Sequence, residues 1–370
     1  MAKVGRVYIS SDARKPKPWF KEWPDDSVIE EIKAYIAREG TPYRWRGHTH
    51  TKPPKGAEVR YLEEFCLPAP FRNNRAMWSP CPCCSDDVPK FKGTDKRPAK
   101  IAWFPNEAAI RLIGHDCFSA LNEQGHQEAL GELRQRQKRK KHEQFLINNL
   151  RLLPEALFAI DANMEIAAAL AESRGQLFAK LRALPSFRFV ESLREGKLRV
   201  VEVLVKTVVM PDKSEKRVRK EFERIYASIP GCELIEAARQ DPSEKLQRAH
   251  RMLDGIDVNA DVLSVSQVEI GKMAKAFAKG LQLATEATHE VAEMRKFFSA
   301  ETISTLRTWG KRSDTILPMH VEVVGSNFYL GPNENQKIRV EVLPILFERL
   351  SKIPVPGSGS SVRAVSRDVA

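Results

Sequence analysis

Two long stretches of the chain place apolar residues alternately three and four positions apart, with Arg174 as the single break. This is the heptad pattern of packed helices. Small residues occupy the middle of both stretches. The pattern predicts two long helices that pair antiparallel within the chain, and dimerisation through one seam would use the same pattern. The apolar positions are Leu157, Ile160, Met164, Ala167, Ala171, Phe178 and Leu181, and then Ile270, Met273, Phe277, Gly280, Ala284, Ala287, Val291, Met294 and Phe298.

A β-rich segment separates these helices. Residues 197–209 are dominated by Val and Leu, residues 211–214 carry turn-forming Pro and Asp, and residues 217–229 return as a second strand. Val218, Phe222 and Ile225 would also fit a helix, but we favour the hairpin. Near the C-terminus, residues 320–324 and 328–330 read as short strands, followed by a run through residues 337–350.

The N-terminal third shows shorter patterns. Apolar residues recur on one face between Asp26 and Glu39 and predict a helix. Two apolar runs, residues 100–104 and 109–113, flank Pro105-Asn106-Glu107 and predict a hairpin. From Gln127 the chain reads as helix as far as Leu153, where Pro154 interrupts it.

These patterns predict an α+β fold in which a small hairpin and helix module precedes long heptad helices, a β-hairpin insert and small C-terminal strands. The length suits two or three modules. The segments are an irregular basic part with one helix (1–75), a zinc-binding module (76–130), long helices with a basic run (131–185), a β-rich insert (186–240), a helical part (241–310), a small α/β part (311–353) and a disordered tail (354–370).

Cysteine spacing supplies the candidate chemistry. Cys81 and Cys84 are separated by two residues, and Pro82 favours a turn that directs both thiolates inward. Cys117 and His126 follow the predicted hairpin, so we expect these four residues to bind Zn²⁺ in a tetrahedron. His115, Cys83 and Cys66 are alternatives for the fourth position.

A knuckle, a hairpin and a helix that carries the late ligands resemble a treble-clef zinc finger over about residues 76–130. We expect the zinc to be structural. A helix should begin near Cys117, because Gly114 ends the second strand and Asp116 can cap the helix. The chain departs from the pattern because Ala120 and Leu121 stand where the last ligand is expected. His126 reaches the metal only if Gly125 lets the chain bend.

The charge of the chain favours an acidic partner, because the net charge is +12 and the isoelectric point is about 9.4. A basic run follows the zinc module directly. We expect it to contact phosphates, and a solvated connecting helix neutralised by Glu128, Glu132 and Glu143 is the alternative. The cations of the run are Arg134, Arg136, Lys138, Arg139, Lys140 and Lys141.

Several classes of function lack a signal. No apolar run has the length of a membrane span, and the N-terminus does not resemble a signal peptide. Six cysteines, four of them near the zinc candidate, indicate a reducing compartment, so we expect the cytoplasm. The metalloprotease and deaminase zinc motifs are missing, and the sequence gives no positive sign of an enzyme.

Two functions fit these observations. In the first, the zinc module and the basic run bind nucleic acid, with a DNA-binding or regulatory role. In the second, zinc only holds a small domain together, while the heptad helices bind a protein partner or self-associate. The arrangement as a whole looks like uncharacterised proteins of bacteriophages and other mobile elements.

Overall fold

The structure of the chain, a computed structural model, describes residues 5–182, 187–209, 215–236 and 240–357. Packing divides the chain into two units, Met1–Lys141 (unit 1) and His142–Ala370 (unit 2). The described residues form helices and three small antiparallel sheets, joined by loops. This mixture confirms the α+β class. In that part of the chain, no helix has both the length and the apolar character needed to cross a membrane.

Helices and strands are numbered separately, each in chain order. The helices are α1 Asp26–Glu39, α2 Ala69–Asn73, α3 Glu123–Asn149, α4 Leu153–Leu181, α5 Phe187–Glu195, α6 Pro242–Asp254, α7 Gln267–Met294 and α8 Ala300–Gly310. The strands are β1 Arg60–Phe65, β2 Ala99–Phe104, β3 Ala109–Ile113, β4 Lys197–Val209, β5 Glu215–Ser228, β6 His320–Val324, β7 Asn327–Gly331 and β8 Ile338–Glu341.

Unit 1 is built on a three-stranded sheet in the order β1-β2-β3. The predicted hairpin is confirmed as β2 and β3, and every residue of both strands is buried. Strand β1 was not predicted, because its two consecutive glutamates break the apolar alternation. Glu64 of β1 stands opposite Lys100 of β2 and accepts a hydrogen bond from its ammonium group, so the buried lysine keeps a charged partner.

Two helices cover this sheet. The predicted helix α1 is confirmed, and Ile29, Ile32 and Ile36 line its buried face. The helix expected to begin near Cys117 begins instead at Glu123, because the residues between them form successive turns. Ala129, Leu130 and Leu133 of α3 join the core of unit 1, and they are the apolar face of an otherwise polar segment.

Both predicted heptad seams contribute to the core of unit 2. Helix α6 packs against both α4 and α7. Gly280 of α7 lies against Leu253 of α6, and a Cβ at this position would come within 2.7 Å of the leucine side chain. The small residue in the middle of the α7 seam therefore admits α6. Of the nine positions of the second seam, eight in α7 and Phe298 just after it, all but Met273 are buried.

Two small sheets complete unit 2. The predicted hairpin is confirmed as β4 and β5, which form a two-stranded antiparallel sheet. The short C-terminal strands are confirmed in the sheet β6-β7-β8. The predicted turn at residues 211–214 and most of the predicted tail lie outside the described residues.

A single buried amide links three parts of unit 2. The side chain of Asn163 on α4 donates to Thr288 Oγ1 of α7 at 3.1 Å and to the carbonyl oxygen of Ser351 at 2.9 Å. Its oxygen accepts from the Ser351 amide at 2.8 Å. The Asn163 side chain is fully buried, while its partners Thr288 and Ser351 are partly exposed.

We expect Asn163→Ala to lower the free energy of unfolding of unit 2 by about 1–3 kcal/mol, because it removes the hydrogen bonds of a buried amide to its partly buried partners. Urea titration followed by far-UV circular dichroism, to which the long helices contribute most, measures this loss. Asn335→Ala is the control, since Asn335 is exposed and its replacement should change stability by less than about 0.5 kcal/mol. Equal stability of the two variants would contradict a structural role for Asn163.

Candidate metal centre and basic helix

The first pair of cysteines lies on a tight turn. The Cys81 carbonyl oxygen accepts hydrogen bonds from the amides of Cys84 at 3.2 Å and Ser85 at 2.8 Å. The Ser85 hydroxyl then donates to the carbonyl of Val88 at 2.6 Å and closes the loop. This backbone geometry brings the side chains of Cys81 and Cys84 to one side, as the predicted knuckle requires.

The third cysteine arrives on a second turn of the same spacing. Residue 114 follows β3 directly, and the Cys117 amide donates to the Gly114 carbonyl at 3.3 Å. The Gly114 amide donates to Cys81 Sγ at 3.5 Å. A Cβ at position 114 would lie 2.7 Å from Cys117 Sγ and 3.3 Å from Phe91 Cβ, so only glycine lets this sulfur come so close.

The two turns bring three sulfur atoms together. The Sγ atoms of Cys81, Cys84 and Cys117 all lie within 4.8 Å of one another, and those of Cys84 and Cys117 are 3.5 Å apart. All three cysteines are free thiols, and this spacing lets them hold one metal ion. Cys81 is buried, whereas Cys84 is exposed, so the cluster is open to solvent on one side.

The close approach of the three thiols shifts their pKa values in different directions. The pKa of Cys84 is lowered, to about 3, chiefly because the Cys117 and Cys81 thiols donate hydrogen bonds to its thiolate, with help from Lys90 and Lys52. The pKa of Cys117 is raised because its thiol proton is shared with Cys81 and Cys84, and burial raises the pKa of Cys81. A divalent cation would relieve the repulsion among three thiolates.

The structure does not bring His126 into this group. Burial raises the pKa of Tyr61, so its hydroxyl keeps its proton and donates to His126 Nδ1 at 2.6 Å. His115, an alternative for the fourth position, has other partners. Its Nδ1 lies 3.1 Å from the Pro98 carbonyl oxygen, and its Nε2 lies 3.3 Å from a carboxylate oxygen of Asp116.

The two remaining alternatives differ in their positions. Cys66 lies with its sulfur 3.9 Å from an Asp95 carboxylate oxygen, outside the cluster. Cys83 is buried and close enough to contribute to the raised pKa of Cys81, although the three-sulfur group does not include it. Among the described residues, the structure therefore brings three sulfur ligands together, and none of the four candidates for a fourth ligand joins them.

A chain of buried histidines holds the Cys81–Cys84 loop against the sheet. The Leu112 amide of β3 donates to His48 Nδ1 at 3.2 Å, so neutral His48 carries its proton on Nε2. That proton is donated to His50 Nδ1 at 2.9 Å, and His50 Nε2 donates to the Asp86 carbonyl at 2.7 Å. This pair was not predicted from the sequence. Its only signal is a His-x-His spacing inside an aromatic and cationic stretch.

A cavity of about 430 Å³ lies beside Cys117. Trp78, Lys90, Lys92 and Arg97 contribute to its walls. The Lys92 ammonium group lies 4.9 Å from the centroid of the Trp78 ring, and Arg97 forms a 2.8 Å ion pair with Asp116. Cations around an aromatic ring suit an anionic group or a flat base.

The cations of the basic run of α3 differ in their surroundings. Arg136 is taken up inside unit 1, since its guanidinium lies 4.6 Å from the centroid of the Trp23 ring and donates to the Tyr61 carbonyl. Burial lowers the pKa of Arg136. Lys140 forms an exposed 3.0 Å ion pair with Asp26 of α1.

The other cations of the run remain at the surface. Arg139 is half-buried, while Arg134, Lys138 and Lys141 are exposed. These three residues are spaced four and three positions apart, so they lie on one face of α3. The α3 stripe, defined as Arg134, Lys138 and Lys141, extends over about 10 Å of the helix.

Comparison with known proteins does not assign the chain to a family. No protein-family model matches the chain, and no curated protein or solved structure shows significant similarity to it. The resemblance to treble-clef modules and to bacteriophage proteins therefore stays a prediction from the sequence. The geometry of the site is the basis for the functional argument.

We expect Cys117→Ser to reduce the bound metal per chain by at least about tenfold, because it removes one of three converging thiolates. Mass spectrometry of the metal content, on protein dialysed against buffer without chelator, measures this loss. Cys66→Ser is the matched control and should keep the metal of the unchanged chain. Equal metal content in both variants would contradict the cluster as the metal site.

The buried histidine chain predicts loss of unit 1 stability in acid. Burial lowers the pKa of His48 well below 6.5 and also lowers the pKa of His50. Below about pH 6.5 the unfolded chain therefore binds more protons than the folded chain, and stability falls as the pH falls, by up to about 1.4 kcal/mol per pH unit for each histidine.

Tryptophan fluorescence during urea titration at several pH values measures this slope. It reports mainly unit 1, which contains Trp19, Trp23, Trp45, Trp78 and Trp103. The variant with His48→Asn and His50→Gln should show a shallower pH dependence than the unchanged chain under the same metal conditions. An identical slope in both proteins would exclude the histidine pair as its cause.

Proposed function

We propose that unit 1 is a zinc-stabilised nucleic-acid-binding unit in which the α3 stripe contacts phosphates. The observation that carries this proposal is the division of the basic run. Arg136 and Lys140 have partners inside unit 1, while the α3 stripe points its cations to solvent along a single helix face. A helix that presents aligned cations matches the regular spacing of charge along a nucleic-acid backbone.

The surroundings of the stripe support a phosphate partner. The acidic residues expected to neutralise the run are partly engaged elsewhere: Glu128 accepts from Gln124 at 2.9 Å, and Glu132 lies 4.0 Å from Arg60. The net charge of +12 favours association with any polyanion. The cationic cavity that contains Trp78 offers a second place for a base or phosphate.

Zinc is the proposed metal because three thiolates on two tight turns suit a borderline-soft cation that has no redox chemistry. Its role in the proposal is structural. The cluster joins the loop of Cys81 and Cys84 to the end of β3, and β3 lies in the core of unit 1. Metal binding would thus contribute to the folding free energy of the unit whose helix α3 carries the stripe.

The test compares two variants that each lose three positive charges. One replaces Arg134, Lys138 and Lys141 of the stripe with Gln. The other replaces Arg248, Lys272 and Lys279 with Gln, which are exposed cations on α6 and α7. Binding of both to duplex and single-stranded DNA is measured by fluorescence anisotropy over a series of salt concentrations.

The stripe variant should bind at least about tenfold more weakly. The negative slope of log affinity against log salt should become shallower by about 2–3, because three phosphate contacts are lost. The α6 and α7 variant should keep both the affinity and the slope of the unchanged chain. Equal losses of affinity in the two variants would show that binding depends only on net charge, which would contradict a role for the stripe. Absence of binding by the unchanged chain would overturn the proposal.

A further inference from the structure

The hairpin of β4 and β5 forms a ribbon that, among the described residues, is attached to the rest of unit 2 at its base. There Trp309 Nε1 donates to the Arg199 carbonyl at 2.8 Å, and the Val201 amide donates to the Asp314 carbonyl at 2.7 Å. Leu198 and Val200 are buried at this end. Beyond it, the described side chains of both strands are largely exposed to solvent.

The exposed part of the ribbon is unusually apolar for a surface. The exposed fraction reaches 59% for Val205 and 48% for Ile225, and the other exposed apolar residues are Val203, Leu204, Val218 and Phe222. A two-stranded sheet without a packed face is marginally stable in water, and its open edges invite pairing with another strand. These features indicate a surface that a partner covers.

The two edges of the ribbon are not equivalent. The outer edge of β4 is occupied at the base, where Val200 bridges Thr315. The outer edge of β5 pairs with no strand in the part of the chain that the structure describes. A pairing edge with the length of a whole strand is therefore available on β5.

The middle of β5, residues 217–223, is complementary to its own reverse, whereas Lys216 and Arg224 outside it would face each other with like charges. Two identical strands that pair antiparallel about a two-fold axis must place one residue opposite itself, because hydrogen-bonded and non-hydrogen-bonded pairs alternate along the ladder. With Lys220 on the axis, Arg219 faces Glu221 of the second copy and Arg217 faces Glu223. Val218 faces Phe222 on the other side of the sheet.

Neighbouring registers lose this match. An axis through Arg219 keeps only the pair of Arg217 and Glu221, and it places Val218 opposite Lys220. An axis through Glu221 keeps only the pair of Arg219 and Glu223, and it places Val218 opposite Arg224. Opposite charges and apolar pairs directly across a ladder stabilise it, so the register about Lys220 is favoured.

We propose that two copies of this chain associate through the β5 edges of their ribbons, antiparallel about Lys220, to form one four-stranded sheet. This interface lies in unit 2 and goes beyond the proposed nucleic-acid function of unit 1. Four Arg–Glu pairs and two Val–Phe pairs form across it by symmetry. Lys220 opposes its own copy, and its long flexible stem lets the ammonium group turn toward water.

The ion pairs within one ribbon do not oppose this association. Arg219 lies 3.4 Å from Glu221 along β5, and Arg199 of β4 lies 3.6 Å from Glu223. These pairs are exposed to solvent and contribute little to stability, so the glutamates can share or exchange partners when a second strand arrives. Pairing also covers part of the apolar surface that a single ribbon exposes.

The test is a charge swap in the full-length protein, with the dissociation constant of the dimer measured by sedimentation equilibrium. Arg219→Glu alone places glutamate opposite Glu221 twice in each dimer and should weaken association by about tenfold or more. Glu221→Arg alone should have the same effect. The variant with both changes restores opposite charges and should recover the dimer, which a variant that fails to fold would not do.

Lys206→Glu on β4 is the matched control, because it changes the charge of the same ribbon away from the β5 edge and should leave the dimer unchanged. A chain that is monomeric at every concentration, or a dimer indifferent to the single reversals, would overturn the proposal. So would a monomer that binds DNA through Arg217 and Arg219, with binding lost in Arg219→Glu and not recovered in the swap.

Discussion

The close approach of three cysteine sulfurs is the constraint on which the architecture of unit 1 depends. It requires two turns of equal spacing, one before the sheet's second strand and one after its third, and it requires a residue without a side chain at Gly114. Thiolates at this distance repel one another, so the arrangement is stable only with shared protons or with a cation. The buried histidine chain fixes the same loop from the other side, through the Asp86 carbonyl. The sulfur cluster and the hydrogen-bond chain thus both involve one loop, and much of the wall of the cationic cavity lies between the two turns.

Helix α3 connects this site to the proposed function. Its apolar residues belong to the core of unit 1, and two of its cations are held by partners there, so the orientation of the helix determines which charges reach solvent. The exposed stripe is therefore a consequence of the fold and not of composition alone. The ribbon of unit 2 shows the same relation between sequence and surface. Its base is anchored by hydrogen bonds to the backbone, and its free edge has a charge order that its own copy complements.

Much of the fold follows from local sequence patterns. Helix α1, the hairpin of β2 and β3, the ribbon and the short C-terminal strands were predictable because periodicity and turn residues agree in each. Strand β1 was not predictable, because it contains Glu63 and Glu64. The presence of Glu64 is explained only by its partner Lys100, which lies on the neighbouring strand. The helix start near Cys117 was wrong because capping signals do not reveal the turns that precede α3. The cysteine cluster was predictable from spacing, whereas the position of His126 depends on Tyr61, which is distant in sequence.

The most direct test of the metal-centred account is hydrogen exchange of the unchanged protein, measured by mass spectrometry with and without a chelator. The account predicts that chelation accelerates exchange in peptides that contain Cys84 and Gly114, whose amides bond to the Cys81 carbonyl and sulfur, while peptides from α4 and α7 stay protected. Unchanged exchange at Cys84 and Gly114 after complete removal of the metal would contradict it.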